Sequence, residues 1–326
     1  MAVQPLPLIP LTHRALLLKS STYPYDMSVV EKETLKVGLG SAVIRVPGSG
    51  VLKYGGRVYS RKKPYPYPEP FVPGSASVSQ VVAVGLDATT LQPGQFIFFD
   101  SFITGRDNTN SLILHVPLEN CCPLDEDRLM GNPVTGGLGY KIENLMYLFA
   151  LMVPCGGLMD VGVKTGNSVI IAPATGTFGS AAILVALALG SQVIAMSRNR
   201  EALELLKAAH PGARLNIVQN TGNVEADAQE FTKDGQADVF FDISPGKAIL
   251  STQRISLMGD HHELSLPTQV IMLQDITIKG KWMYKLDDIR LGDIKTIGTF
   301  TLEQFEAAFE AAAAINELWA HVYITL

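Results

Sequence analysis

The sequence predicts an α/β protein, a doubly wound parallel sheet joined to a β-rich part. Two observations predict it. From about Thr165 short apolar runs alternate with helical runs, and the apolar runs are near-continuous, as strands covered on both faces are. Before about residue 90 the apolar runs are short and broken by Pro-Gly turns. Composition agrees. The chain has 326 residues, 47% hydrophobic and 17% charged, enough for two domains with sizeable cores and too apolar for a disordered chain. A net charge of −5 argues against nucleic-acid binding, which needs clustered positive charge. Cys121, Cys122 and Cys155 cannot form a disulfide framework in so long a chain, so a reducing, cytoplasmic setting is expected.

In the β-rich part Arg14–Leu18, Ser41–Val46, Val78–Gly85 and Gln95–Phe99 read as strands. The segment Lys62–Pro70, with proline at every second position from Pro64, cannot donate to a sheet ladder. It reads as a loop or polyproline segment that could serve as a partner motif.

The second part reads strand Val169–Ile171, helix Gly179–Leu189 closed by Gly190, strand Gln192–Met196, helix Arg200–Ala209 and strand Leu215–Val218. Helix Val224–Thr232 and strand Asp238–Phe241 follow. Ser168–Met196 carries no charge over 29 positions, but Pro173, Gly176, Gly179 and Gly190 divide it into pieces too short to span a bilayer, so no membrane contact is expected. The N-terminus lacks a basic region followed by an apolar one, so no secretory signal is read. Ile255–Met258 reads as a fifth strand that starts only 12 residues after Ile243, too close for a comfortable helical crossover. Either residues are absent from the chain there or this strand is attached differently. Further on, Ile276–Met283 reads as a strand, Thr301–Gln304 has the spacing of a capping box opening a helix to Ala314, and His321–Ile324 is a last strand.

The strongest chemical feature is Ala174-Thr175-Gly176-Thr177-Phe178-Gly179, between a strand and a helix. A G-x-G-x-x-G ruler falls on Ala174, Gly176 and Gly179. Gly176 would let a pyrophosphate approach the backbone, Gly179 would let the helix pack on the sheet, and the N–H groups of Thr177 and Phe178 would face the phosphates. About twenty residues on, where an NAD site places a carboxylate on the ribose, stand Ser197, Arg198 and Asn199. A serine and an arginine there suit a 2′-phosphate, which points to NADP(H).

These residues resemble those of the medium-chain dehydrogenase/reductase superfamily. Val72–Ala76, Gln80–Gly85 and Leu91–Gln95 are similar to its P-G-H-E…V-V-A-V-G…G-D segment, and Val169–Arg200 to its nucleotide fold. The Pro-Tyr-Pro-Tyr-Pro loop and Val116–Cys121 resemble fungal, zinc-free members. The resemblance implies a GroES-like catalytic domain over 1–150, a Rossmann cofactor domain over 151–285 and a C-terminal segment, 286–326, returning to the first. It also implies a homodimer acting on a small molecule.

Zinc-binding members carry a His-Glu pair where this chain has Ser75-Ala76, and a cysteine in the region of Val51–Tyr54. Cys121-Cys122 and His261-His262-Glu263 lack ligand spacing, so no zinc is expected. The segments Asn110–Val116 and Arg290–Gly292 are short for the family. The expected activity is hydride transfer from NADPH to an activated C=C or a carbonyl. Tyr54 on the substrate-side loop is the first candidate proton donor and Tyr59 the second, and Ser244 and Gly259, after strand ends, would lie by the nicotinamide. The rival reading is a non-catalytic protein that keeps the fold to bind a nucleotide or a partner.

Overall fold

A computed structural model describes residues 9–21, 26–62, 67, 69–74, 76–100, 116–223, 226–227, 229–230, 233, 237–243, 254–257, 276–280, 295–315 and 320–325. The chain divides into two compact units. One comprises 1–149, 294–315 and 320–326, and the other 150–293 and 316–319.

The first unit opens with a hairpin, β1 (Thr12–Ser20) antiparallel to β2 (Asp26–Glu33). Leu16 and Leu18 of β1 are buried, while the exposed positions of β2 are mostly charged. β3 (Ser41–Arg45), β4 (Gly48–Val51) and the short helix α1 (Gly55–Tyr59) follow. β5 (Ala76–Val84) is the central strand of a five-stranded antiparallel sheet. β6 (Phe96–Asp100), β7 (Val116–Pro117) and β8 (Cys121–Pro123) complete it in the order β7-β3-β5-β6-β8. The four strand runs read from the first hundred residues all form. The short β4, β7 and β8 and strand β2 carried no such signal. Phe71 bridges to β1, exchanging backbone hydrogen bonds of 3.0 Å with Leu18.

Of the proline-rich stretch, Lys62, Tyr67, Glu69 and Pro70 are described, and none lies in a strand. The Tyr67 hydroxyl donates to the Val58 carbonyl at 2.9 Å, and the Arg61 guanidinium stacks 3.9 Å over the Tyr67 ring while pairing with Glu69.

Two short helices, α2 (Glu126–Leu129) and α3 (Ile142–Leu145), lead into α4 (Leu148–Asp160). Ile142–Asp160 is long and apolar enough to cross a membrane, but 72% of its apolar window is buried inside the protein, as in a core helix.

The second unit is built on a six-stranded sheet. β9 (Ser168–Ala172), α5 (Thr177–Ala188), β10 (Gln192–Ser197), α6 (Arg200–Ala209), β11 (Leu215–Gln219), β12 (Val239–Asp242), β13 (Arg254–Leu257) and β14 (Thr277–Gly280) follow in chain order. All the pairings are parallel, in the order β11-β10-β9-β12-β13-β14. This is the doubly wound order, which reverses between β9 and β12. Ile170, Ile194, Met196, Phe240 and Ile255 pack as one buried cluster. The fifth strand is not attached differently, as the short crossover had suggested. β13 pairs parallel with β12, Phe240 opposite Ile255, after a connection running only from Ile243 to Gln253. The helix expected over Val224–Thr232 lies partly outside the described residues.

The chain then returns to the first unit. β15 (Lys295–Thr301) runs parallel to β16 (Ala320–Thr325), which pairs antiparallel with β4. Thr301 and Gln304 form the expected capping box, ahead of α7 (Phe305–Ala313). Phe305, Ala308 and Ala312 of α7 share a buried cluster with Leu16 and Leu18.

Candidate dinucleotide site

The end of β9 carries Ala172-Pro173-Ala174-Thr175-Gly176, and α5 begins at Thr177 with Gly176 as its N-cap. Ala174 is fully buried, and its N–H donates to the Met196 carbonyl on β10 at 2.7 Å. It does not occupy left-handed backbone, which among the described non-glycine residues only Arg61 does, at φ 55°. The alanine at the first position of the ruler is therefore no obstacle to the turn.

The two glycines do different things. A Cβ on Gly179 would lie 1.9 Å from the Pro173 carbonyl oxygen, so glycine is required there by packing. A Cβ on Gly176 would meet nothing within 4 Å, and its φ of −85° and ψ of 167° suit any residue. Neither backbone nor packing asks for glycine at 176. Gly176 is exposed, contributes no side chain to cap α5, and no acidic side chain lies in the first turn, so the positive end of a twelve-residue helix faces an open space.

β10 brings up the other half. Ser197, its last residue, is buried, and its hydroxyl lies 2.7 Å from that of Thr175 in the turn. Arg198 is exposed, and its guanidinium makes no ion pair among the described residues. Arg200 is different: its Nε donates to Glu204 at 2.8 Å, one turn further along α6. Asn199 is the N-cap of α6, its Oδ1 accepting from the Ala202 N–H at 3.1 Å.

The chain beyond β11 closes on the same place, with the Asn220 N–H donating to the Ser197 carbonyl at 2.9 Å. The following loop is held by Asp227, which accepts from the Thr221 hydroxyl at 2.7 Å and from the Thr221 and Gly222 N–H groups. The Thr221 hydroxyl above all, with those backbone donors, holds the Asp227 carboxyl below the usual range.

Thus the structure gathers Gly176, Thr177, Phe178, Gly179, Ser197, Arg198 and Asn199 around the ends of β9 and β10. Thr175 and Asp227 were not singled out from the sequence. The hydroxyl at 175 could have been noticed, since it lies inside the turn, whereas Asp227 offered no signal in a linear reading. Ser244 and Gly259 lie outside the described residues.

Tyr54 belongs to the first unit. It is half-buried and caps α1 through its carbonyl, which accepts from the Arg57 and Val58 N–H groups. Tyr59 is packed among Tyr67, Phe71 and Phe309, at ring-centroid distances of 6.5, 6.1 and 5.5 Å. Burial first, and the neighbouring Tyr67 second, raise its phenol well above the ordinary value, so it suits a core and not proton transfer near neutrality.

Part of the chain matches a known family model, and the whole chain resembles solved structures. Residues 178–298 match a protein-family model described as zinc-binding dehydrogenase. No curated protein matches the sequence. Among solved structures, a thermostable alcohol dehydrogenase from Pyrobaculum aerophilum is similar at 17% identity and a TM-score of 0.72, over 97% of this chain and all of the other. A protein from Sinorhizobium meliloti described as a zinc-binding dehydrogenase, bound to NADP, is similar at 14% identity and a TM-score of 0.74, over 98% of this chain and all of the other. An alcohol dehydrogenase from E. coli complexed with NADH is similar at 13% identity and a TM-score of 0.74, over 97% and all.

The family's name raises zinc. Among the described residues no three side chains of His, Cys, Asp or Glu gather where they could hold a metal ion. Ala76 opens β5, with no donor atom in its side chain. Cys121 is buried, and its thiol donates to the Pro117 carbonyl at 3.4 Å. His261, His262 and Glu263 lie outside the described residues. The described residues by themselves assemble no zinc site.

They do fit a dinucleotide, through the open space over Gly176 at the head of α5. The resemblance read from the sequence is thus supported twice: residues 178–298 match the family model described as zinc-binding dehydrogenase, and the chain as a whole shares its fold with solved alcohol dehydrogenases.

Proposed function

We propose that this protein is an NADP(H)-dependent, zinc-independent oxidoreductase of the alcohol dehydrogenase type, which reduces an activated C=C or a carbonyl of a small organic substrate. The observation that carries the reading is Gly176, a glycine required by neither backbone nor neighbours, exposed at the head of a buried helix. Room for a pyrophosphate accounts for it. The nicotinamide, when bound, supplies the hydride.

The residues of the chain do the rest. Thr177 and Phe178, at the start of α5, present the helix's positive end to the phosphates. Arg198, exposed and held by no carboxylate among the described residues, pairs with a 2′-phosphate, which a carboxylate at this position would repel. Asn199 fixes the start of α6 by capping it. Ser244 and Gly259, beyond the ends of β12 and β13, remain our candidates beside the nicotinamide. Tyr54 is proposed to give the proton to the reduced substrate, since a phenol is a competent general acid where no metal polarises the acceptor. The substrate domain is assigned to 1–150 with the returning segment 286–326, and the cofactor domain to 151–285. A homodimer is proposed from the family resemblance.

The test is NADPH oxidation with a panel of enones and aldehydes, for the wild type and two variants. Tyr54→Phe is expected to bind NADPH as the wild type does and to turn over at least tenfold more slowly. Arg198→Glu is expected to lose NADPH at least tenfold more than NADH. Binding of NADPH with no oxidation by any acceptor would favour a non-catalytic, nucleotide-binding protein instead. Equal losses of both cofactors in Arg198→Glu would remove the 2′-phosphate assignment. Metal analysis of active protein is expected to find less than stoichiometric zinc.

A further inference from the structure

We propose that the Thr175 hydroxyl donates to the cofactor's pyrophosphate and that buried Ser197 is a positioning residue which orients it. The proposal rests on the dinucleotide reading above and changes the part Ser197 plays in it. Sequence position suggested Ser197 as a direct ligand of a 2′-phosphate. Its place in the fold points elsewhere.

The two oxygens are 2.7 Å apart, so one proton lies between them and the other hydroxyl keeps its proton for a third group. Which hydroxyl donates follows from burial. Ser197 is 7% exposed, and among the described residues its hydroxyl has no partner other than Thr175. A buried O–H aimed at nothing costs about 1–3 kcal/mol, so the Ser197 proton belongs in the pair. Thr175 then accepts from Ser197, and its own proton is free to point outward. Thr175 is half-buried and immediately precedes exposed Gly176, the residue over which the space is open. The turn is fixed in this pose a second time by the Ala174 N–H to the Met196 carbonyl at 2.7 Å. An anion settling over Gly176 would meet one side-chain donor already turned toward it, and structures of this fold hold NADH and NADP.

The pyrophosphate is common to both cofactors and the 2′-phosphate is not, so the two roles separate cleanly. The experiment is calorimetric titration of the full chain with NADPH and with NADH, for the wild type, Thr175→Val, Thr175→Ser and Ser197→Ala. A hydrogen bond to a charged group corresponds to about ten- to a hundredfold in affinity. Thr175→Val is expected to raise both dissociation constants about tenfold or more, leaving their ratio unchanged. Thr175→Ser, which keeps the hydroxyl, is expected to stay near the wild type. Ser197→Ala is expected to weaken both cofactors equally and by less than Thr175→Val. Unchanged binding in Thr175→Val would overturn the proposal, and so would a loss confined to NADPH, which would return the pair to the 2′-phosphate. If Thr175→Val does not fold, Ser197→Ala decides by the same ratio. A wild type that binds neither cofactor would overturn this proposal and the dinucleotide reading together, whereas a binding wild type with an indifferent Thr175→Val overturns this proposal alone.

Discussion

Arg198 and Arg200 leave the end of β10 two residues apart, yet they are not equivalent. Arg200 is held by Glu204 on the same helix face, while Arg198 is exposed with no ion pair among the described residues. Arg200→Ala should therefore leave the preference between NADPH and NADH unchanged in a binding titration, with the whole discrimination carried by position 198. Cysteine chemistry is set at the same scale. Burial above all, then Glu119 and Cys122, push the Cys121 thiol up to about 12, so at pH 8 it is almost wholly protonated. Alkylation by iodoacetamide at pH 8, localised by tandem mass spectrometry, should proceed at Cys121 at least tenfold more slowly than at an ordinary thiol; equal rates would contradict its burial. Residue identities told part of this in advance. The placement of Gly176, Gly179 and Arg198 was legible because it depends on position after a strand. The engagement of Ser197 by Thr175 was not, because it joins residues 22 apart through the pairing of β9 and β10.

At the level of elements the strand–turn–helix unit makes opposite demands at its two glycines. Gly179→Ala would drive a Cβ against the Pro173 carbonyl, a backbone group that cannot swing away, and should destabilise the protein by about 3 kcal/mol in denaturant unfolding. At Gly176 a Cβ meets no atom within 4 Å, so Gly176→Val should unfold with the wild type while losing dinucleotide binding. A Gly176→Val protein that binds normally would remove the phosphate turn from the account. The loop after β11 has a pH dependence of known sign. The Asp227 carboxyl is lowered by the Thr221 hydroxyl and backbone donors, so its contribution to stability is complete above the ordinary carboxylate value near 4 and disappears as pH falls through the lowered one. Asp227→Asn should be less stable than the wild type at pH 7, with the difference closing below about pH 4 in thermal scans. Elements were legible where their pattern was periodic. α6 shows buried Ala202, Leu203 and Leu206 against exposed Glu201, Glu204 and Lys207, and it was read to the residue. α4 is apolar around its whole circumference and offers no such contrast, so it went unread.

For the molecule as a whole, the alternation of strand and helix after Thr165 was enough to give the parallel sheet, because a strand buried on both faces must be apolar throughout. The order β11-β10-β9-β12-β13-β14 was legible as a class and not as a register, and the short connection from Ile243 to Gln253 misled because length alone does not decide where a strand docks. β15 was missed and β16 found, since the mixed Lys-Thr-Ile-Gly-Thr-Phe-Thr of β15 alternates weakly beside Val322, Tyr323 and Ile324, all buried. What the fold achieves is to bring the heads of α5 and α6, with Gly176 and Arg198, beside the ends of the adjacent strands β9 and β10. The most direct test of the proposed dinucleotide site is a thermal-shift comparison of the full chain with NADPH and with NADH at equal concentration. A ligand at a hundred times its dissociation constant adds about 2.7 kcal/mol, or about 5 °C at this chain length. That shift is expected with NADPH and a clearly smaller one with NADH, whereas no shift with either would remove the dinucleotide site.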